Sequence, residues 1–451
     1  MLSHEILKFV LFKKYPGGRA EMHHMWDEEV ETMPREKLEE LQLKRLNRTL
    51  SIAKKSRFYK DKVPEHIETL EELKGLPFTT KADLRNNFPD GMLAVPYSEI
   101  VRLHSSSGTT GRATVVYHTR NDIHNWTELV ARSMYMTGVR KDDVFQNMMG
   151  YGLFTGGLGL HYGSERLGAL TIPASSGNSK RQIWLMKEFK TTVIHITPSY
   201  ALHLYSIFEE EGIDPRKDLH LRIAFLGAEP YSEETRRRIE EMYGIDAFNS
   251  YGLSEMNGPG VAFECPVKNG MHLWEDSYIP EIIDPATGKV LPDGEEGELV
   301  LTTLVREGMP LIRYRTGDIT RLFSERCQCG RTHKRIDRIK GRSDDMIIIK
   351  GVNIYPMQIE KVLMDIPEVA NNYVIELETV DYLDNLNVKV EVNSRIFHGD
   401  MAELERLKKR IIEELKNEIL IHPKVTLVEP NGLPKSEGKA VRVIDKRRKN
   451  G

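Results

Sequence analysis

Ser105-Ser106-Ser107-Gly108-Thr109-Thr110-Gly111-Arg112 crowds hydroxyl residues around two glycines. Such a loop bends tightly, exposes successive backbone N–H groups and offers Ser/Thr donors to an anion, usually a phosphate. The β-branched run that follows, Thr114 to Tyr117, reads as a strand. The loop is therefore expected at the tip of a hairpin. A P-loop opens a helix and carries a different glycine spacing; a plain polar turn has the same composition. Glu255 closes the stretch Ala247-Phe248-Asn249-Ser250-Tyr251-Gly252-Leu253-Ser254-Glu255, where polar groups are expected just past a strand. A carboxylate beside a phosphate loop repels it unless a cation lies between, and Mg²⁺ shared by a carboxylate and substrate phosphates meets that need. A solvent-facing Glu is the commoner fate. Asp318, in Thr316-Gly317-Asp318, suits a carboxylate–diol contact of the kind acidic residues make with ribose, although the triplet alone is only a turn. Lys439 sits in a basic, glycine-hinged tail, Leu433 to Arg442, where a Lys acts as a point-charge clamp on phosphate or carboxylate.

The three cysteines pose a separate chemistry. Cys327-Gln328-Cys329 is a C-x-C knuckle, and Cys265 lies near His272. Cys265, His272, Cys327 and Cys329 would make a closed, tetrahedral, structural zinc site, with His333 as the rival fourth ligand. A chance C-x-C beside an unrelated Cys is the alternative.

Composition bounds the rest. The 451 residues carry 64 Lys+Arg against 67 Asp+Glu, a formal net charge of -3, which points to no nucleic-acid partner. Three cysteines in a chain this long argue against a disulfide framework and for a reducing, cytoplasmic setting. The apolar run Ile6 to Phe12 is short and interrupted by Lys8, so no membrane span is expected there or elsewhere. Residues 1–25 read as a loosely ordered leader.

These residues need elements to hold them. A helical pattern starts after Pro34, and Thr80 has the look of a helix cap with Asp83 three positions on. The run Val144 to Met149 reads as a buried strand. It enters the glycine-rich stretch Gly150 to Gly159, which carries Tyr151 and Phe154 where an apolar acid would fit. The same glycines would equally serve close helix–sheet packing. Strand–helix repeats follow at Leu170–Pro173, Val193–Pro198 and Leu221–Leu226. The last ends in Gly227-Ala228-Glu229-Pro230, with Ser232 capping the next helix. Continuous apolar strands separated by helices imply parallel sheets covered on both faces, an α/β fold. Residues 280–323 read as a β-rich subdomain. Gly341-Arg342-Ser343-Asp344-Asp345 then leads to a small α+β domain, which divides the chain into 1–340 and 341–451.

Taken together, these stretches resemble the adenylate-forming, acyl-CoA synthetase-like superfamily. The resemblance rests on Ser105–Gly111, Gly150–Gly159, Gly227–Pro230, Tyr251–Glu255, Tyr314–Asp318, Gly341–Asp345 and Ser436–Lys439, in the family's order. It implies a large N-terminal domain and a small mobile C-terminal one. It also implies two steps: a carboxylate, with phenylacetate the favoured aryl acid, reacts with ATP to give an acyl-adenylate, and coenzyme A then takes the acyl group. Residue by residue, the resemblance gives the phosphates to Ser105, Ser106, Ser107, Gly108, Thr109, Thr110 and Gly111, and Mg²⁺ to Glu255. It sets Gly227, Ala228, Glu229, Pro230 and Tyr251 beside adenine, with Gly252 and Ser254 at the nucleotide. Asp318 and Arg342 take the ribose, Lys439 bridges carboxylate and α-phosphate, Asp344 is the hinge, and Tyr151 and Phe154 line the acid pocket. A homodimer is the assembly it suggests. Adenylylation of a different acceptor, such as a deazaflavin, and a catalytically silent nucleotide-binding protein are the competing readings.

Overall fold

This computed structural model describes residues 25–105, 114–343, 347–349, 352–380, 383–397, 401–434 and 440–447. The first long helix, α1 (Arg35–Ala53), turns Leu38, Leu46 and Leu50 inward at helical spacing and buries them. Thr80 caps the short helix Lys81–Asn86 and forms a capping box with Asp83, as its spacing implies. Strands β1 (Ile100–Ser105) and β2 (Val115–Thr119) pair antiparallel with Ser105 opposite Val115. The two residues that bracket the hydroxyl-rich stretch are therefore register partners. Thr119 forms a capping box with Asp122 and opens α2 (Arg120–Met136).

Strand–helix alternation then begins: β3 (Val144–Asn147), α3 (Gly156–Leu167), β4 (Leu170–Ile172), α4 (Ser179–Glu188), β5 (Val193–Ile196), α5 (Pro198–Glu210), β6 (Ile223–Leu226), α6 (Glu233–Tyr243) and β7 (Asp246–Leu253). β5 and β6 are buried at every position, which is why they read as unbroken apolar runs. The five strands β4-β3-β5-β6-β7 are parallel. Antiparallel strands β8 (Gly258–Glu264) and β9 (Met271–Leu273) extend the sheet beyond β7. β10 (Tyr278–Ile283), β11 (Gly297–Thr303) and β12 (Tyr314–Thr320) follow. Next, β13 (Leu322–Phe323) and β14 (Arg335–Ile336) complete a sheet of nine strands ordered β13-β14-β9-β8-β7-β6-β5-β3-β4. With β15 (Gly341–Arg342), the strands β10-β11-β12-β15 form a second, antiparallel sheet, the β-rich part expected over 280–323.

Beyond it lie the hairpin β16 (Ile347–Ile349) and β17 (Val352–Ile354), then α7 (Pro356–Asp365), β18 (Val369–Val380), β19 (Leu383–Val392), α8 (Met401–Ile419), β20 (Lys424–Val428) and β21 (Val443–Asp445). They enclose an apolar cluster of their own, in which Ile359, Leu363, Ile375, Val388, Val390, Ile411 and Leu415 are fully buried.

One strand assignment from sequence needs correction, and one strand was not read at all. β7 does not stop before its polar residues: Ser250, Tyr251 and Gly252 lie within it, because β8 folds back and pairs with them. Residues 443–445, past the stretch read as tail, form β21, parallel to β18, with Val443 opposite Ile375. Three residues next to Arg442 and Lys446 are too few to show an alternation. No described helix is long and apolar enough to cross a membrane.

Candidate active site

The first half of the site forms where three loops meet. The backbone N–H of Ser105 donates to the Leu153 carbonyl at 2.9 Å, and His104 Nδ1 lies 3.0 Å from the same oxygen. This ties the end of β1 to the glycine-rich run. Thr155 Oγ1 lies 3.1 Å from Ser254 Oγ, tying that run to the turn after β7. Glu255 sits in this turn, Ser254–Met256, and is only 6% exposed. It is therefore not a solvent-facing carboxylate. Tyr314 donates a hydrogen bond to Glu255; burial first, and then this negative partner, raise the phenol well above its ordinary pKa. Below the turn lies Arg306, 1% exposed, whose guanidinium donates to the Glu255 carbonyl and, at 3.3 Å, to the Tyr117 carbonyl on β2. One cation thus staples the metal-candidate turn to the hairpin that carries the hydroxyl stretch. Nothing in the sequence around Arg306 marked it for this.

The second half centres on Asp318. Its carboxylate accepts from the Tyr251 hydroxyl at 2.6 Å and from Arg342 at 3.2 Å. β12 pairs with β15 so that Asp318 and Arg342 are register partners. Gly317 has φ of +79°, and a Cβ there would stand 2.8 Å from the Arg342 guanidinium, so the glycine keeps this pair open. Gly227 is required for a similar reason: a Cβ would meet Ser250 Oγ at 2.6 Å and the Ser250 carbonyl at 2.8 Å. Ala228 follows with φ of +68°, unusual for a non-glycine residue, and is exposed at the rim. The Glu229 carboxylate points elsewhere. It accepts from Ser199 N at 2.7 Å and from Ala440 N at 3.1 Å.

The glycine-rich run supports both readings given to it. A Cβ at Gly159 would lie 2.6 Å from Trp126 and Pro259, and one at Gly163 would lie 2.5 Å from Val130, so α3 packs on α2 through glycine. Tyr151 and Phe154, at the mouth of the same run, are half-buried and 44% exposed respectively. Tyr151 is held by residues the sequence did not single out. Asn147, the last residue of β3, donates from Nδ2 to the Tyr151 hydroxyl at 3.0 Å and to the Gly157 carbonyl at 2.6 Å. Its Oδ1 accepts from His195 Nδ1 at 3.0 Å. The Tyr151 hydroxyl lies 3.2 Å from His161 Nδ1, and His161 Nε2 lies 3.1 Å from Glu165. Burial moves two members of this chain toward their neutral forms: His195 falls to about 3 and Tyr151 is pushed up to about 12.

Away from this cleft, Cys265, His272, Cys327 and Cys329 are all buried, and their ligand atoms lie within 4.8 Å of one another. Cys265 and Cys327 sulfurs are 3.8 Å apart, and Cys329 Sγ is 3.2 Å from His272 Nε2. Four ligands at about 2.3 Å from one tetrahedral ion are separated by about 3.8 Å, so the donor set fits zinc. His333 is not available as the rival ligand. Its Nδ1 accepts from Glu275 N at 3.0 Å and its Nε2 donates to the Val30 carbonyl at 2.9 Å. The His333 carbonyl instead faces His272 Nδ1 at 3.4 Å, the outer contact that would orient a metal-binding imidazole.

Ser106, Ser107, Gly108, Thr109, Thr110, Gly111, Asp344 and Lys439, and the leader up to residue 24, lie outside the described residues.

Comparisons with known proteins identify the family. The AMP-binding enzyme family matches residues 22–304, and the AMP-binding enzyme C-terminal domain matches residues 351–447. The chain is 45% identical to a phenylacetate–coenzyme A ligase of Thermus thermophilus, over 94% of this chain and 100% of that one. It is 49% identical to one of Pseudomonas putida, over 85% and 87% of the two chains. Among solved structures it is similar to 2-hydroxyisobutyryl-CoA ligase in the postadenylation state with R3-HIB-AMP. The TM-score there is 0.89 at 30% identity, covering 96% of this chain and 94% of that chain. Against the same enzyme with 2-HIB-AMP and CoA in the thioesterification state, the TM-score is 0.70 at 32% identity, covering 94% and 93%. The chain belongs to the AMP-binding enzyme family and, within it, to the phenylacetate–coenzyme A ligases.

Proposed function

We propose that this protein joins an aryl acid, phenylacetate first among them, to coenzyme A at the expense of ATP. In the first step a carboxylate oxygen attacks the α-phosphorus and pyrophosphate leaves. In the second the coenzyme A thiolate attacks the acyl carbon of the adenylate and AMP leaves. Asp318 and Arg342 take the ribose, with Tyr251 fixing the Asp318 carboxylate from below. Glu255 holds Mg²⁺ against the phosphates, which Ser105 and the hydroxyl stretch after it bind. Gly227 and Ala228 form the adenine rim together with Pro230. Tyr151 and Phe154 form the wall for the aryl group. Lys439 stabilises the charge that develops at the α-phosphate. We take 1–340 and 341–451 as the two working units, with Asp344 at the hinge.

The observation that carries this reading is the meeting of Tyr251, Asp318 and Arg342 at one carboxylate, in a chain whose relatives are named for this reaction. The test is pyrophosphate release with Mg²⁺–ATP across a panel of aryl and aliphatic acids, with and without coenzyme A. Release that needs phenylacetate, with thioester and AMP appearing only when coenzyme A is added, is expected. No release with any acid refutes the reading.

The proposal includes one structural Zn²⁺ on Cys265, His272, Cys327 and Cys329. The knuckle residue Arg331 donates to Glu31 at 2.6 Å, and both side chains are fully buried. The ion would therefore hold the N-terminal segment onto β9 and β14 and play no part in the chemistry. Metal analysis of protein purified without chelator should return about one zinc per chain, the content of a single closed four-ligand site; a value near zero rejects the site. A homodimer and a cytoplasmic setting complete the proposal; sedimentation velocity reads the first.

A further inference from the structure

Among the described residues, three side chains join the stretch beyond Ser343 to the N-terminal unit, and the nucleotide contacts proposed above account for none of them. Glu360, on α7, is 8% exposed. Its Oε1 accepts from Ser232 N at 3.1 Å and from Thr235 Oγ1 at 2.7 Å, at the start of α6. Its Oε2 accepts from the buried Tyr373 hydroxyl at 2.7 Å. A carboxylate on one unit thus caps the N-terminus of a helix on the other, where the helix dipole favours negative charge. Two turns along α6, Arg238 makes the reverse connection. It donates to the Met364 carbonyl at 3.0 Å, the Ile366 carbonyl at 3.2 Å, the Val369 carbonyl at 3.2 Å and Asn371 Oδ1 at 2.9 Å. A cation from the N-terminal unit thereby collects the carbonyls at the C-terminal end of α7. The third is Glu229. One oxygen accepts from Ser199 N at the start of α5, and the other from Ala440 N, the residue after Lys439.

We propose that Glu360, Arg238 and Glu229 form a latch that holds the C-terminal unit in the adenylate-forming arrangement. These are positioning residues; none need touch a substrate. The inference rests on the two-step reaction proposed above. Two observations support it. All three contacts cross between the units, so all three must break if the C-terminal unit turns for the second step. The arrangement also overlays better on the postadenylation form of the relative than on its thioesterification form. A ligand or contact biases a two-state equilibrium only by its differential free energy between the states, and contacts made in one arrangement alone supply that difference. Weakening the latch should slow the first step and spare the second.

The test measures the half-reactions separately: pyrophosphate release with phenylacetate and ATP, and thioester formation from supplied phenylacetyl-adenylate and coenzyme A. Arg238→Ala is the first variant because its partners are carbonyls and an amide, which water satisfies once the units part. A fall of about tenfold in the first rate, with the second unchanged or faster, is expected; tenfold corresponds to about 1.4 kcal/mol of bias. Arg238→Lys, which still reaches individual carbonyls, should recover part of the loss. Glu360→Ala should shift the two rates in the same directions, with melting temperature followed in every variant. Equal loss of both half-reactions, or an unchanged first rate in correctly folded Arg238→Ala and Glu360→Ala, overturns the latch. Wild-type protein that makes no adenylate from any acid overturns the reaction itself, and the latch with it.

Discussion

Asn147 offers the sharpest test of the acid pocket, because one amide holds several partners at once. Its Nδ2 reaches the Tyr151 hydroxyl at 3.0 Å and the Gly157 carbonyl at 2.6 Å, and its Oδ1 takes the His195 proton at 3.0 Å. Asn147→Ala orphans the buried His195 N–H, at roughly 1–3 kcal/mol, so the melting temperature must fall. Tyr151→Phe is milder: Asn147 keeps Gly157, and His161 keeps Glu165. The informative quantity is the coupling between the two substitutions. A buried neutral hydrogen bond contributes about 1 kcal/mol net, which is about fivefold in kcat/KM. The double variant should therefore lose about fivefold less kcat/KM for phenylacetate than the product of the two single losses. The KM for ATP should move little in all three. The assay is pyrophosphate release at saturating ATP with the acid varied, at a temperature well below the lowest melting point. Losses that multiply to within a factor of about two would show no coupling, and Tyr151 would then not be held by Asn147 in the working enzyme.

Two further outcomes follow from the same geometry. Asp318→Asn keeps one acceptor oxygen but gives up the charge that Tyr251 and Arg342 face. With charge-assisted bonds contributing about 1.5–3 kcal/mol, the KM for ATP should rise roughly 10- to 100-fold while the KM for the acid stays nearly fixed. A change below threefold would remove Asp318 from the nucleotide site. The second concerns pH. Burial lowers His195 to about 3 and also lowers His104 and His118. Below the unfolded value near 6.5, the unfolded chain binds protons that the folded chain refuses, so stability drops as pH falls. His195 alone should cost about 2 kcal/mol between pH 6.5 and 5. His195→Gln should flatten that slope in urea unfolding followed against pH, and an unchanged slope would contradict the assignment.

What the sequence showed depended on how local the signal was. Caps were plain at Thr80 and Ser232, because a cap and the residue it bonds lie within four consecutive positions, whereas the equally local box of Thr119 and Asp122 went unread. β5 and β6 were plain because strands buried on both faces carry no polar interruption. The metal donors were legible from Cys spacing. Choosing between His272 and His333 was not, since it turns on which imidazole already has both nitrogens engaged. Arg306, Asn147 and Glu360 were invisible for a common reason. Each acts on residues more than a hundred positions away, or through an amide whose partners come from separate elements. Glu229 was read with its motif as an adenine neighbour, while its carboxylate faces Ser199 and Ala440.

The position of Glu255 follows from one departure in the sheet. Parallel α/β sheets present ligands at the carboxyl ends of their strands, in the loops that leave for the helices. β6 obeys this and hands on to Gly227 at once. β7 does not end there. It pairs with β6 only as far as Asn249, and from Ser250 to Leu253 its partner is β8 alone. Those four residues project past the carboxyl edge of the parallel block. They carry Tyr251 to Asp318 on the second sheet and deliver Glu255 beside Tyr314. Close approach of backbone is what lets the projection fold back. A Cβ at Gly252 would stand 2.0 Å from the Gly258 carbonyl, so any side chain there would push β8 away from β7. Gly252→Ala should therefore damage ATP use through the displacement of Glu255 and Tyr251 together.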